Sequence, residues 1–187
     1  MFETLKSKLA SGLKRSATAT GFIRRQEGTA AIEFAIVAAP FLALLLAIMQ
    51  TALAYFAGQV LETAVADSSR MVLTGSVQNA GMDQAKFGAA VCAKIPGLFN
   101  CSGLMIDMQT VANFAAANVA APALTFDAAG KVTNAFQYNP GNAGDIVVMR
   151  VMYQWPVYMG PLAFSLSNMS NGNMLLMSTA VFKNEPF

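Results

Sequence analysis

The stretch Gly28-Thr29-Ala30-Ala31-Ile32-Glu33-Phe34 stands directly before a long apolar segment and decides how the chain is organised. Residues 34–61 form an uninterrupted run of 28 residues without a formal charge. Because a helix rises about 1.5 Å per residue, this run is long enough to cross a hydrocarbon core of about 30 Å. Glu33 lies at the edge of the run, where a carboxylate costs on the order of 3 kcal/mol on insertion scales. The sequence therefore predicts a membrane anchor with a functional carboxylate at its border.

The charges of the chain are concentrated in its first 28 residues, where six basic side chains accompany two acidic ones. This leader carries +4, so the formal charge of +2 for the whole chain leaves −2 for residues 29–187. A basic segment beside a span stays cytoplasmic, which places residues beyond about 62 on the outer side. The near-neutral remainder argues against nucleic-acid binding, which needs a basic stripe on the folded domain. We expect the anchor to be retained, because the uncharged run is too long for the apolar core of a secretory signal.

One long helix is predicted over residues 29–74, with its membrane half at about 34–57. Pro40 lies inside that half, removes one backbone hydrogen bond and is expected to kink the helix. Past Gln50, polar side chains predict a wetted face, namely Gln59, Glu62, Asp67 and Arg70. An apolar stripe accompanies it at helical spacing, namely Leu53, Ala57, Val60, Ala64 and Met71. We therefore expect this half of the helix to pack on a soluble domain.

Residues 75–187 are predicted to form a small extracytoplasmic α+β domain with an antiparallel sheet and short helices. Gly75 is expected to cap the long helix, and residues 82–95 to form a short helix stopped by Pro96-Gly97. Three segments have strand character: residues 106–111, 145–155 and 174–182, the last introduced by the turn Asn171-Gly172-Asn173. Alternation along residues 145–155 predicts a strand with one better-buried face.

Two cysteines, Cys92 and Cys101, both fall on the predicted outer side of the membrane. Two thiols nine positions apart in an oxidising compartment favour a disulfide, the alternative being two buried free thiols. Closing so short a loop contributes roughly 2–3 kcal/mol in the chain-entropy model.

Little in the sequence indicates catalysis or a cofactor. The chain has no histidine and only two cysteines, which argues against a structural zinc site and excludes acid–base catalysis through imidazole. No glycine-rich phosphate loop and no nucleophile elbow occurs. Asp145 with Asn139 and Asn142 offers oxygens of the kind that Ca²⁺ takes, without a dense acidic loop, and whether Ca²⁺ binds there stays open. We expect a structural protein without a cofactor rather than an enzyme.

The stretch from Gly28 to Phe34 resembles the processing motif of prepilins, in which a glycine precedes a glutamate by five positions at the start of an apolar helix. The resemblance implies that a prepilin peptidase cuts after Gly28 and leaves Thr29 with a free α-amine. Glu33 would then pair with the Thr29 amine of a neighbouring subunit and set the register of helices in a bundle. A carboxylate and an ammonium in low dielectric each need a counter-charge, which supports such pairing. The alternative is a lone Glu33 solvated by lipid headgroups at the membrane edge.

With its flanks, Arg24-Arg25 before it and Pro40 after it, this segment resembles the TadE-like pseudopilins of tight-adherence pili. A looser similarity to that family extends over much of the chain. It includes Ser69-Arg70, Thr74-Gly75, the Cys92/Cys101 pair, Tyr153-Gln154-Trp155-Pro156 and residues 182–187. The mature chain departs from the family's pattern in beginning with Thr29 rather than with an aromatic residue.

The resemblance implies a minor, low-copy pilin, because the major pilins of these systems are far shorter and essentially helical. Its implied partners are the prepilin peptidase, other pilin and pseudopilin subunits, the inner-membrane assembly platform and membrane lipid, with no nucleic acid. The implied location is the bacterial inner membrane, crossed once, with the domain in the periplasm and incorporation into the extracellular pilus left open. The alternative is an uncleaved single-span protein whose periplasmic domain scaffolds or senses. A membrane-tethered hydrolase is disfavoured by the missing histidines.

Overall fold

The computed structural model describes residues 28–95, 97–158 and 165–187, so the predicted basic leader lies outside the described residues except for Gly28. The elements are α1 (Thr29–Leu73), α2 (Ser76–Asn79), α3 (Gln84–Cys92), β1 (Leu104–Val111), β2 (Ile146–Trp155) and β3 (Met174–Lys183). Short 3-10 turns at Cys101–Gly103 and Phe114–Ala116 flank β1. The α+β class is confirmed: a long apolar N-terminal helix is followed by a small domain with a three-stranded antiparallel sheet and short helices.

The chain divides into two compact units at the boundary between Leu46 and Ala47, and α1 contributes residues to both units. In the first unit α1 exposes large apolar side chains all round, namely Ile32, Phe34, Ile36, Val37, Phe41, Leu42, Leu44, Leu45 and Leu46. An 18-residue window of α1 has a mean hydropathy of 2.5, and only 6% of that window is buried within the protein. A helix that is apolar on every side and uncovered by protein is typical of a membrane span. By length and composition, α1 is able to cross a membrane.

In the second unit, the later half of α1 buries one face against the domain. The buried side chains recur every three or four residues: Ala54, Ala57, Leu61, Ala64, Val65, Ser68 and Val72. The predicted wetted face is confirmed, since all four of its residues are exposed. The predicted apolar stripe is only partly right, because Ala57 and Ala64 are buried whereas Leu53 is 47% exposed. Leu61 and Val65 fill the core instead, which turns the buried face by roughly 65° from the predicted stripe at about 100° per residue.

The sheet has the order β1-β2-β3, with both pairs of strands antiparallel. One face forms a single apolar core with α1, α3 and the turn between them. On this face the buried sheet residues are Ile106, Met108, Val147, Met149, Val151 and Leu176. The strand predictions are confirmed with small changes: β1 begins at Leu104 rather than at residue 106, and β3 ends at Lys183 rather than at residue 182.

The opposite face of β2 is buried as well, so the prediction of one better-buried face is wrong. Val148 and Met152 are buried on this side, and Arg150 lies between them with Asp107 opposite on β1. Arg150 Nη2 donates to Asp107 Oδ2 at 2.6 Å, and Arg150 Nη1 donates to Ala120 O at 3.2 Å. Asp107 Oδ1 also accepts from Gln137 N at 3.0 Å. The connection between β1 and β2 therefore covers this face, and its backbone is hydrogen-bonded to the two side chains of a buried ion pair.

The short helix α3 is shorter than predicted, because it begins later and ends earlier. Asp83 is its N-cap residue, because the Asp83 carboxylate accepts from Lys86 N at 2.8 Å. Met82 therefore belongs to the preceding turn, and the helix ends at Cys92 instead of reaching residue 95. Pro96, the predicted stop, lies outside the described residues.

Gly75 ends α1 as predicted, with a φ of +74° and its N–H bonded to Val72 O at 3.0 Å. A side chain here would also overlap the ring of Phe187, which lies directly over the glycine. Glu185 N donates to Leu73 O at 2.9 Å and satisfies one of the carbonyls left open at the helix end. Residues 184–187 thus connect the end of β3 to the end of α1 through one backbone hydrogen bond and the packing of Phe187.

Candidate functional site

The predicted processing site lies at the very start of α1. Gly28 is exposed and immediately precedes the helix, whose first residue is Thr29. A Cβ atom added to Gly28 would meet no other atom within 4 Å. The described part of the chain therefore leaves room for a side chain at residue 28, and we expect any requirement for glycine to come from a partner.

Glu33 lies one helical turn after Thr29 on the same side of α1, since residues four apart are neighbours on a helix surface. Its side chain is exposed, and so are the large apolar side chains of Ile32 and Phe34 beside it. Among the described residues no basic group lies within 4.0 Å of the carboxylate. The structure thus presents a carboxylate at the border of an apolar helix without a counter-charge from that part of the chain.

Pro40 lies inside α1, which runs through it as one continuous helix. Proline has no N–H, so Ile36 O lacks its usual donor one turn before it. The predicted kink stays a prediction.

The predicted disulfide is present: Cys92, the last residue of α3, is bonded to Cys101, which opens the 3-10 turn before β1. The two Cα atoms are 5.7 Å apart, which is an ordinary separation for a disulfide. The bridged loop carries Phe99 into the core, with its ring centroid 4.8 Å from that of Tyr153 and 5.8 Å from that of Trp155. The disulfide thus fixes the loop that closes one end of the sheet.

Cys101→Ser is expected to destabilise the domain by about 2–3 kcal/mol through loss of the loop constraint. Cys92→Ser should cost at least as much, because Cys92 is buried and its replacement also places a hydroxyl in the core. The measurement is thermal unfolding of the purified full chain in detergent, with non-reducing peptide mapping of the cysteines. Reduction of the unmodified protein should lower its midpoint as Cys101→Ser does. Two free thiols in the map, or an unchanged midpoint for Cys101→Ser, would refute the bridge.

Two of the three side chains considered for Ca²⁺ are hydrogen-bonded within their own loop. Asp145 Oδ2 accepts from Asn142 N at 2.8 Å, and Asn139 Oδ1 accepts from Gly141 N at 3.1 Å. Within the described ranges no group of three or more His, Cys, Asp or Glu side chains is placed to hold a metal ion. These contacts account for the polar character of the loop as turn structure.

Tyr138 is partly buried and packs against the apolar core. Burial, and then the negative charge of Asp83, raise the pKa of Tyr138 to about 12. Its ring packs against Phe87 at a centroid distance of 5.9 Å. The phenol therefore stays protonated at neutral pH and acts as a core side chain.

One contact of α1 had no counterpart in the sequence predictions. Gln50 Nε2 donates to Tyr158 O at 2.9 Å, which joins the apolar helix to the connection after β2. The only sequence signal was an amide side chain within a long apolar run, and this signal does not name its partner.

Comparison with known proteins gives one match. The family model of TadE-like proteins matches residues 28–70. This part of the chain is similar to TadE-like proteins, and we call it the TadE-like segment. The match begins at Gly28 and ends at Arg70, so the TadE-like segment contains the predicted processing motif and nearly all of α1. No curated protein and no solved structure matches the chain significantly.

The matched range, residues 28–70, is less than a quarter of the chain. Residues 71–187 lie outside the matched range. The looser similarity suggested for the cysteine pair, for the end of β2 and for residues 182–187 therefore stays a prediction.

Proposed function

We propose that this chain is a minor pilin, or pseudopilin, required for assembly of a tight-adherence type IV pilus. The observation that carries the proposal is the match of the TadE-like family from Gly28 onward, together with the helix that starts at Thr29. The family assignment supports a structural subunit without catalysis of its own. Its function would be in surface attachment through the assembled pilus.

Processing is the first step of the proposed function. The leader is cytoplasmic, and a prepilin peptidase removes it after Gly28. The new N-terminus is the α-ammonium of Thr29, which lies at the positive end of the helix dipole and is unfavourable there without a counter-charge. Exposed Glu33, one turn along, is a carboxylate that also lacks a counter-charge among the described residues.

Assembly then follows from these two unsatisfied charges. A neighbouring subunit provides a carboxylate for each Thr29 amine and an amine for each Glu33. The exposed apolar side chains of α1 exchange lipid for neighbouring helices without loss of apolar burial. The charge pair sets the register, and the domain stays outside the helical bundle. The partners are other pilin and pseudopilin subunits and the inner-membrane assembly platform.

N-terminal sequencing of the membrane-extracted full chain tests this function. We expect the mature protein to begin at Thr29 in cells that contain the prepilin peptidase, and to keep its leader in cells that lack it. A protein that keeps its leader in both strains would contradict the proposal. That result would favour an uncleaved single-span protein with a periplasmic scaffold or sensor domain.

A further inference from the structure

The connection after β2 is hydrogen-bonded to α1 near the C-terminal end of the apolar run of α1. Tyr158 follows the end of β2 by three residues, and Tyr158 O accepts the 2.9 Å hydrogen bond from Gln50 Nε2. The hydroxyl of neighbouring Thr51 bonds to Ala47 O within its own helix at 2.8 Å. Two polar side chains of this part of α1 therefore have partners inside the protein, as an apolar environment requires.

Large apolar and aromatic side chains surround this level of the helix. Leu53, Tyr55 and Phe56 are exposed on α1, and the side chain of Tyr158 is 77% exposed. We call these four residues the Tyr158 patch. No charged residue occurs along α1 between Glu33 and Glu62. The α1 part of the patch therefore belongs to the same uncharged run as the predicted span.

The level of the patch follows from the length of the helix. If the span begins at Phe34, directly after Glu33, a hydrocarbon core of about 30 Å ends near Leu53. Gln50 then lies about 5 Å inside that boundary, and Phe56 lies about 5 Å outside it. Tyrosine rings concentrate at this depth, because the ring contacts acyl chains while the hydroxyl reaches water and headgroups. Gln50, the residue that enters hydrocarbon, is the one that needs a hydrogen-bond acceptor from the protein.

We propose that the Tyr158 patch is a second membrane contact of this protein, with lipid at the outer headgroup boundary as its occupant. The hydrogen bond from Gln50 holds Tyr158 at that depth, so the domain touches the bilayer through the start of the β2–β3 connection as well as through α1. The argument for lipid is the continuity of the patch with an apolar run able to cross a membrane. The proposal rests on α1 crossing a bilayer and is independent of leader removal and pilus incorporation.

The single tryptophan provides a native probe of this contact. Trp155 precedes Tyr158 by three residues, which is at most about 10 Å along the chain. The full chain is reconstituted into phosphatidylcholine vesicles whose acyl chains are unlabelled, brominated near the headgroup, or brominated near the chain end. Bromine quenches tryptophan fluorescence only at short range. We expect the shallow bromines to quench Trp155 more than the deep ones.

Two variants make the test specific. The variant Trp155→Phe with Tyr158→Trp moves the probe into the patch, and we expect it to be quenched more strongly by shallow bromines than Trp155 is. The matched control is Trp155→Phe with Phe114→Trp, because Phe114 is also exposed. Phe114 follows Val111, which pairs with Ile146 at the opposite end of the sheet from Trp155. We expect no quenching of this control.

Three results would overturn the proposal. The first is the absence of quenching in both Trp155 and Tyr158→Trp, as expected if the patch faces water or is covered by a neighbouring subunit. The second is equal quenching of the Phe114→Trp control, which would indicate adsorption of the whole domain. The third is unchanged quenching of the Tyr158→Trp probe after Gln50→Ala, since removal of the hydrogen bond should release the segment. A mature N-terminus at Thr29 is expected whichever result is found, so this test and the processing test fail separately.

Discussion

Gly28→Arg is expected to leave the leader attached to essentially all of the protein. A prepilin peptidase must hold the Gly28–Thr29 peptide bond within reach of its catalytic groups, and a long charged side chain next to that bond displaces it. Misplacing a scissile bond by about 1 Å costs on the order of 100-fold in rate. Because a Cβ at residue 28 meets no atom of the described residues within 4 Å, the substitution is not expected to disturb α1. The defect would therefore report on the peptidase and not on folding.

Mass spectrometry of the membrane-extracted protein measures this effect directly. Gly28→Ala adds a single methyl group at the same exposed position and should cause a smaller defect than arginine. Gly58→Ala serves as the control within α1, where an added Cβ also meets no atom within 4 Å, and should leave processing normal. A mature Gly28→Arg product that begins at Thr29 at the normal level would remove the processing argument.

The sequence predicted the elements whose signals are local. A single segment in a bilayer satisfies its backbone hydrogen bonds only as a helix, so α1 was predictable from the length and composition of residues 34–61. The alternation of side chains in β2 and the Asn-Gly turn before β3 are likewise short-range signals. The cysteine pair was predictable because its two thiols are near in sequence and both follow the predicted span.

The failures on the second face of the sheet depend on contacts between distant segments. Asp107 and Arg150 face each other only because β1 and β2 pair in one register, which periodicity does not determine. The long connection between these strands is rich in alanine and asparagine and has no regular pattern, so nothing in it predicted that it covers the second face of the sheet. The buried ion pair explains its position, since Arg150 bonds to Ala120 O and Asp107 to Gln137 N.

The candidate site also has a part that local sequence predicts and a contact that it does not predict. Gly28, Thr29 and Glu33 are consecutive features of one helix start, so their spacing in sequence is their spacing in the structure. Tyr158 reaches Gln50 across 108 positions, and no sequence pattern joins them. The predicted orientation of the buried α1 face was wrong by roughly 65° because several faces of the helix are apolar, which weakens the periodic signal.

Glu33→Ala is expected to abolish or strongly reduce piliation while leaving leader removal and membrane insertion intact. Insertion should even improve, because a carboxylate that costs on the order of 3 kcal/mol at membrane depth is removed. The defect is expected in assembly, since the Thr29 ammonium of a neighbouring subunit would be left in an apolar bundle without its counter-charge. Leaving one partner of a buried ion pair uncompensated costs about 3–5 kcal/mol, which is enough to exclude a subunit from a growing filament.

Two further variants distinguish charge pairing from other effects at the helix start. Glu33→Asp keeps the charge but shortens the side chain by one methylene, so a partial defect is expected. Glu62→Ala removes another exposed carboxylate of α1, beyond the uncharged run, and should leave the number of pili unchanged. Electron microscopy of each strain counts the pili, and immunoblots confirm equal amounts of mature protein. If Glu33 is merely solvated by headgroups, neither change at residue 33 reduces piliation. A normal number of pili with Glu33→Ala would therefore refute the charge pair even if the chain is processed after Gly28.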